Sequence, residues 1–247
     1  MNKKIVYAIV AIVVVLVVSY FSIKYKEGAV VAARAQQNNK GLPDTSKKSN
    51  EPSCFSGDSV IYLENGKTKQ IQDAKLGDKI LSYNLNKNEY KYSPIIAIPH
   101  EKNSQLDNFI ELKTSGNKTI KMTEKHLLPV LQKSSRSFKL LTADKIEIGD
   151  TVISKDGNET VELLKNVELE GVYTVVTLDE YVVVDNIVAS PFFENFHIAG
   201  NIYYSVFRAL YNANPDIIKS NMYEKFNDSS HALYLHVHKN IISMVSQ

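Results

Sequence analysis

The chain has 247 residues, enough for one compact domain of roughly 150 residues plus appendages, and its 44% hydrophobic content supplies a sizeable core. Twenty-nine basic and 27 acidic side chains leave a net charge of +2, which gives no electrostatic basis for a nucleic-acid partner. Cys54 is the single cysteine, so neither an intramolecular disulfide nor a cysteine-based zinc site can form, and no metal or cofactor is expected.

The N-terminus begins Asn2-Lys3-Lys4 and continues as an apolar run from Ile5 to Ile23 that Lys24 and Lys26 close. An uncharged stretch of about twenty residues is long enough to cross a bilayer as a helix, and no small-residue cleavage site follows directly. Residues 1–26 are therefore read as an uncleaved transmembrane signal-anchor. Lysines at both ends leave its orientation unfixed. The expectation is a single-pass membrane protein of the secretory pathway or cell surface, its C-terminal part lumenal or extracellular. The sequons Asn117-Lys118-Thr119, Asn158-Glu159-Thr160 and Asn227-Asp228-Ser229 agree with that exposure. Residues 27–53 read as a flexible linker, because Gln36 to Pro52 is polar and without hydrophobic periodicity.

From Phe55 to Ser190 the pattern is β. Ser59–Leu63, Lys79–Tyr83, Phe109–Leu112 and Thr119–Met122 alternate apolar and polar residues, and Glu64-Asn65-Gly66-Lys67 and Ser115-Gly116-Asn117 suit the turns between them. Thr151–Ile153, Val172–Val176 and Tyr181–Val184 extend the series. Short strands with regular turns predict an all-β domain. Within it, Leu76-Gly77-Asp78-Lys79-Ile80-Leu81-Ser82 recurs as Ile148-Gly149-Asp150-Thr151-Val152-Ile153-Ser154. Each copy follows a basic-acidic segment and precedes an extended run and a further strand, which predicts two diverged copies of one β unit with pseudo-two-fold symmetry. His100 follows Pro99 and is assigned to a polar loop between the runs.

After Ser190 the period changes. Phe192, Phe193, Phe196, Ile198, Ile202, Tyr203, Val206, Phe207, Leu210 and Tyr211 recur at helical spacing until Asn212 to Pro215 break it, and Ala232 to Val245 reads as a second helical segment. Such aromatic stripes serve as packing surfaces or as lipid-facing ones.

The chemistry concentrates at two places, Cys54-Phe55-Ser56-Gly57-Asp58 and Thr123-Glu124-Lys125-His126. A cysteine at the first position of a folded domain lies beside its own upstream carbonyl, that of Ser53. Its thiol can attack that carbonyl at little entropic cost, giving a thioester by an N-to-S acyl shift. The amide nitrogen is a poor leaving group and needs a proton donor and a polar group to hold it. His126, whose ordinary pKa lies near neutrality, suits the first role; Thr123 suits the second.

Cys54-Phe55-Ser56-Gly57-Asp58, Leu76-Gly77-Asp78, Thr123-x-x-His126 and Val183-Val184-Asp185-Asn186-Ile187-Val188-Ala189-Ser190, in that order, resemble the Hint (hedgehog/intein) superfamily, and within it the C-terminal autoprocessing domain of hedgehog proteins. The resemblance covers residues 54–190 and, more loosely, the tail. It implies a disk-like, all-β fold with pseudo-two-fold symmetry, and it implies the roles of Cys54, Thr123 and His126. It also implies that an alcohol, a sterol in hedgehog proteins, attacks the thioester with the help of an aspartate. That position falls on His100 here, which makes water or another alcohol more credible as the acceptor. The residue before the nucleophile is Ser53 where the family has glycine, and Pro191 stands where hedgehog-like sequences often carry a cysteine. The tail, residues 191–247, occupies the place of the sterol-recognition region and echoes it at Tyr203–Leu210 and His231–Tyr234. Splicing inteins require a terminal Asn followed by Cys, Ser or Thr; Asn186 is followed by Ile187, so cleavage without splicing is expected. The resulting expectation is a single-turnover enzyme acting in cis, whose partners are its own N-terminal segment, a membrane and a sterol or other lipid alcohol. A tethered β module that only binds is the alternative.

Overall fold

The computed structural model describes residues 54–133, 135, 137–192, 197–221 and 223–225. The signal-anchor, the linker with Ser53, and the segment from 226 onward with His231–Tyr234 lie outside the described residues, as do Phe193 and Phe196. No helix among the described residues is long and apolar enough to cross a membrane.

Eleven strands are formed by the described residues: Val60–Tyr62 (β1), Thr68–Gln70 (β2), Lys79–Asn84 (β3), Glu89–Thr114 (β4), Thr119–Thr123 (β5), Leu127–Leu131 (β6), Lys139–Thr142 (β7), Thr151–Ser154 (β8), Gly157–Thr177 (β9), Tyr181–Val184 (β10) and Ile187–Ala189 (β11). All pairings are antiparallel, in the order β2-β1-β10-β3-β4-β9-β8-β6-β7, with β5 on β4 and β11 bridging β10 and β8. One helix, His197–Ala213 (α1), follows, and a 3-10 turn at Pro215–Lys219 whose N-cap Asn214 accepts from Asp216 N–H. The domain is all-β with a short helical tail, as the alternation and the later change of period predict.

The two sequence copies repeat bond for bond. Gly77 N–H donates to the Ile95 carbonyl and Ile95 N–H to that of Asp78, each at 2.8 Å. Gly149 N–H donates to the Val161 carbonyl at 2.7 Å and Val161 N–H to that of Asp150 at 2.8 Å. Each aspartate carboxylate also closes its own turn, Asp78 on Lys75 N–H and Asp150 on Glu147 N–H. Both glycines hold φ near +90° (87° and 89°), which a side chain resists. Single turns of 3-10 helix, Ile71–Asp73 and Ala143–Lys145, precede the two copies.

The strands after each copy, β4 and β9, are much longer than the runs expected in the sequence. They pair with each other from Ile95 opposite Thr177 to Thr114 opposite Val161, with register shifts at Ile95/Ala97, Ala97/His100 and Lys102/Leu106. Such bulges let a strand bend and twist without ending. His100 therefore does not sit in a loop, contrary to the sequence reading; its backbone pairs with Thr174 within β4. The core, including Ile61, Ile80, Leu112, Ile120, Val130, Val152, Val161, Val175 and Val184, lies on the inward faces of these strands. Each such side chain contributes about 1.5–3 kcal/mol on burial.

Candidate active site

The chain enters the domain at Cys54, and Phe55 is held between two strands by isolated bridges. Phe55 bridges Met122 of β5 on one side and Tyr173 of β9 on the other. It exchanges both backbone bonds with Tyr173, at 2.8 and 3.0 Å. A Cβ on Gly57 would come within 2.8 Å of the Tyr173 ring, so the Gly of the Cys-Phe-Ser-Gly-Asp motif is needed where the chain passes over that tyrosine. Beyond it, the Ser56 hydroxyl donates to Asp58, and Asp58 pairs with Lys121 of β5 at 2.6 Å. Cys54 itself is fully buried against Phe109 and Val172.

The spacing Thr-x-x-His is a β-turn. His126 N–H donates to the Thr123 carbonyl at 3.0 Å, the i to i+3 bond of a turn linking β5 to β6. Glu124 and Lys125 at its corners bond Asp144, through the Glu124 carbonyl and the Lys125 ammonium. The turn thereby holds Thr123 and His126 at its two ends. Cys54 N–H donates to Thr123 Oγ1 at 3.0 Å, and Thr123 N–H returns a bond to the Cys54 carbonyl at 3.0 Å. Thr123 thus bonds Cys54 through both its hydroxyl and its backbone. The His126 ring lies 4.2 Å from that of Phe55, between centroids.

His126 departs from expectation in its protonation. Burial pushes its pKa down to about 3, only partly offset by a loose backbone contact with Ser190. Neither ring nitrogen has a hydrogen-bond partner of good geometry among the described residues. The imidazole is neutral at physiological pH and is not a standing proton donor. A neutral imidazole keeps one ring nitrogen free to accept a proton.

Val183–Ser190, the last motif, is a two-residue hairpin. Asp185 and Asn186 take φ of 50° and 69°, the left-handed pair that a tight β10–β11 turn demands. Asp185 also locks β1, accepting from Val60 N–H at 2.7 Å. The hairpin delivers Ser190, fully buried, beside His126: Ser190 N–H donates to the Leu127 carbonyl at 3.0 Å. The next residue, Pro191, accepts from Thr174 Oγ1 at 3.2 Å. Thr174 follows Tyr173, the backbone partner of Phe55.

The structure bonds Cys54 to Thr123 and sets the His126 ring against Phe55, the residue after Cys54. It places the backbone of His100 opposite Thr174, one residue along β9 from Tyr173. Three residues not singled out for chemistry in the sequence, Glu180, Ser190 and His197, also converge here. Ser190 Oγ lies 2.9 Å from His197 Nδ1, and His197 Nε2 lies 2.5 Å from Glu180 Oε1.

The Hint module matches residues 37–228 of this chain. Protein hedgehog of Drosophila yakuba is 31% identical over 154 residues, 60% of this chain and 33% of that protein. Warthog protein 6 of Caenorhabditis elegans is 32% identical over 143 residues, 56% of this chain and 24% of that protein. The chain thus spans about a third or less of the length of these relatives. Among solved structures, a bacterial intein-like domain from Clostridium thermocellum is 23% identical with a TM-score of 0.46, over 56% of this chain and 96% of that one. The Ssp DnaB mini-intein variant M86 is 18% identical with a TM-score of 0.49, over 59% and 98%. With its all-β domain, its four ordered motifs and a module match covering most of its length, the chain belongs to the Hint family.

Proposed function

We propose that the chain cuts its own backbone before Cys54 and transfers its N-terminal segment, residues 1–53, to a hydroxyl acceptor. The observation that carries this reading is the 3.0 Å bond from the Cys54 amide to Thr123 Oγ1. That bond supports the reading because it would hold the peptide nitrogen that has to depart. Neutral His126 takes the proton of the Cys54 thiol, and the sulfur attacks the Ser53 carbonyl carbon. As the C–N bond breaks, His126 returns that proton to the nitrogen of Cys54. One proton moves within the site and none is needed from outside, which suits an imidazole that burial keeps neutral.

The thioester then passes its acyl group to water or to an alcohol, a sterol among the candidates. His100 is the base proposed for this step, at the place of the family aspartate. The aromatic tail, residues 191–247, is the proposed acceptor-recognition element. The released segment carries the apolar run of residues 5–23, so the product would stay with a membrane in the secretory pathway or at the cell surface.

The test is intact mass over time for the full chain in detergent, with and without dithiothreitol and cholesterol, beside Cys54→Ala. Cleavage before Cys54 that vanishes in the variant supports the acyl shift, and the mass added to the upstream piece names the acceptor. A folded chain that stays uncut under every condition would refute it and leave a tethered binding module as the better account.

A further inference from the structure

The groups that converge on Ser190 have no role in the acyl shift described above. Ser190 Oγ accepts from Phe192 N–H at 3.0 Å. Its remaining partner is His197 Nδ1 at 2.9 Å, and His197 Nε2 meets Glu180 Oε1 at 2.5 Å. A carboxylate only accepts, so Nε2 carries the proton toward Glu180. In a neutral imidazole Nδ1 is then the acceptor, and the Ser190 hydroxyl donates to it. The three side chains form a hydroxyl–imidazole–carboxylate chain with one consistent direction. Such an array makes a hydroxyl able to shed its proton.

Its two ends differ in exposure. Ser190 is fully buried and His197 is 8% exposed, whereas the Glu180 side chain is 41% exposed. The array therefore links the sealed interior to solvent. Its inner end is tied to the two motifs by backbone bonds: Ser190 N–H donates to the carbonyl of Leu127, the residue after His126, and Thr174, the residue after Tyr173, donates to the Pro191 carbonyl. Asn201 Nδ2 lies 3.4 Å from both Glu180 Oε1 and His197 Nε2. Arg208 grips the carbonyls of Thr177, Asp179 and Asn201, which fixes the Glu180 turn against α1.

We propose that Ser190, His197 and Glu180 are the proton-accepting relay of the acyl-acceptor step, taking the base role that otherwise falls to His100. The proposal rests on the acyl-shift reading above. As the acceptor oxygen bonds to the thioester carbon, its proton passes to Ser190 Oγ while the Ser190 proton passes to His197 Nδ1. The carbon–sulfur bond of Cys54 breaks, and the imidazolium, held by Glu180, returns one proton to the Cys54 thiolate. The products are the ester, or the acid when water attacks, and the free thiol, with no other reactant. Ser190 faces the acceptor in this scheme; His197 and Glu180 act through it as positioning residues.

The two steps can be read apart in the full chain in detergent. Cleavage by excess dithiothreitol reports thioester formation, because the attacking thiolate needs no base. Cleavage by water, and by cholesterol in mixed micelles, reports the relay. Ser190→Ala and His197→Gln are expected to retain dithiothreitol cleavage within about threefold and to lose roughly 10²-fold in the water and cholesterol reactions. The solvent deuterium isotope effect on hydrolysis is expected to shrink in His197→Gln. Equal loss in all three reactions would make the array a structural clamp and overturn the proposal. So would full hydroxyl-dependent activity in both variants with its loss in His100→Gln, which would assign the base to His100 alone. If the unsubstituted chain resists dithiothreitol as well, the acyl-shift reading itself fails and the relay falls with it.

Discussion

Thr123 carries two backbone bonds to the same residue, one through Oγ1 and one through its N–H. Thr123→Val keeps the shape and the backbone bond but removes the hydroxyl that accepts from the Cys54 N–H. The expected cost is about 1–3 kcal/mol of stability, with thioester formation slowed roughly 10²-fold. Denaturant melts and dithiothreitol cleavage measure the two separately. His126 makes a pH prediction of definite sign. Its folded pKa, about 3, lies below its ordinary 6.5, so the unfolded chain binds the proton more readily. The stability associated with neutral His126 is complete above about pH 6.5 and drains away as pH falls toward 3. The slope is about 1.4 kcal/mol per pH unit from this group. Comparing unfolding at pH 7 and pH 5 for the unsubstituted chain and for His126→Gln isolates it: the variant should show the smaller difference.

The turns of the two repeat copies are equivalent elements, and substitution should show it. Gly77→Ala and Gly149→Ala each force a side chain into φ near +90°, at about 1–2 kcal/mol. Thermal melts are expected to shift down in both. A change in one and none in the other would mean that the copies are not equivalent. These turns were legible in the sequence because a left-handed glycine followed by a turn-closing aspartate leaves a fixed signature before each strand. The strand runs were legible for a related reason, since alternation records which face is buried. Where a strand is buried throughout, the signal is lost. Leu127-Leu128-Pro129-Val130 of β6 lies between β7 and β8, so nothing alternates and its strand character was not read. The length of β4 was hidden by Pro99 and by bulges, and with it the strand position of His100. Cys54, Thr123 and His126 could be found in the sequence because a domain boundary and a single turn contain them. Glu180, Ser190 and His197 could not, because their separations match no helix or strand period and only the fold joins them.

At the scale of the whole molecule the helical tail is fastened to the sheet by few bonds of high value. Arg208 reaches three carbonyls, Tyr223 donates to the Ile96 carbonyl at 2.7 Å, and Phe192, Tyr203, Tyr204, Phe207 and Tyr223 stack in one aromatic cluster. Arg208→Ala is expected to speed amide exchange across α1 by roughly tenfold while β3, β4 and β9 keep their protection. Uniform loss of protection would mean that the tail and the sheet open as one unit.

Cys54 lies at zero exposure with its nitrogen bonded inside the domain. Cleavage at that bond would exchange a neutral amide for a primary amine at the same address. An amine that kept that burial would meet the penalty of charge without water, and protonating it would then cost the folded domain stability. Its folded pKa would fall below the usual 7.7–8.0 of an α-amino group, and stability would be lost as pH drops through that value. The severed domain should then match the uncut Cys54→Ala chain in stability at pH 9 and be weaker at pH 6. Cutting would thereby add to the domain a dependence on pH that the intact peptide bond does not carry.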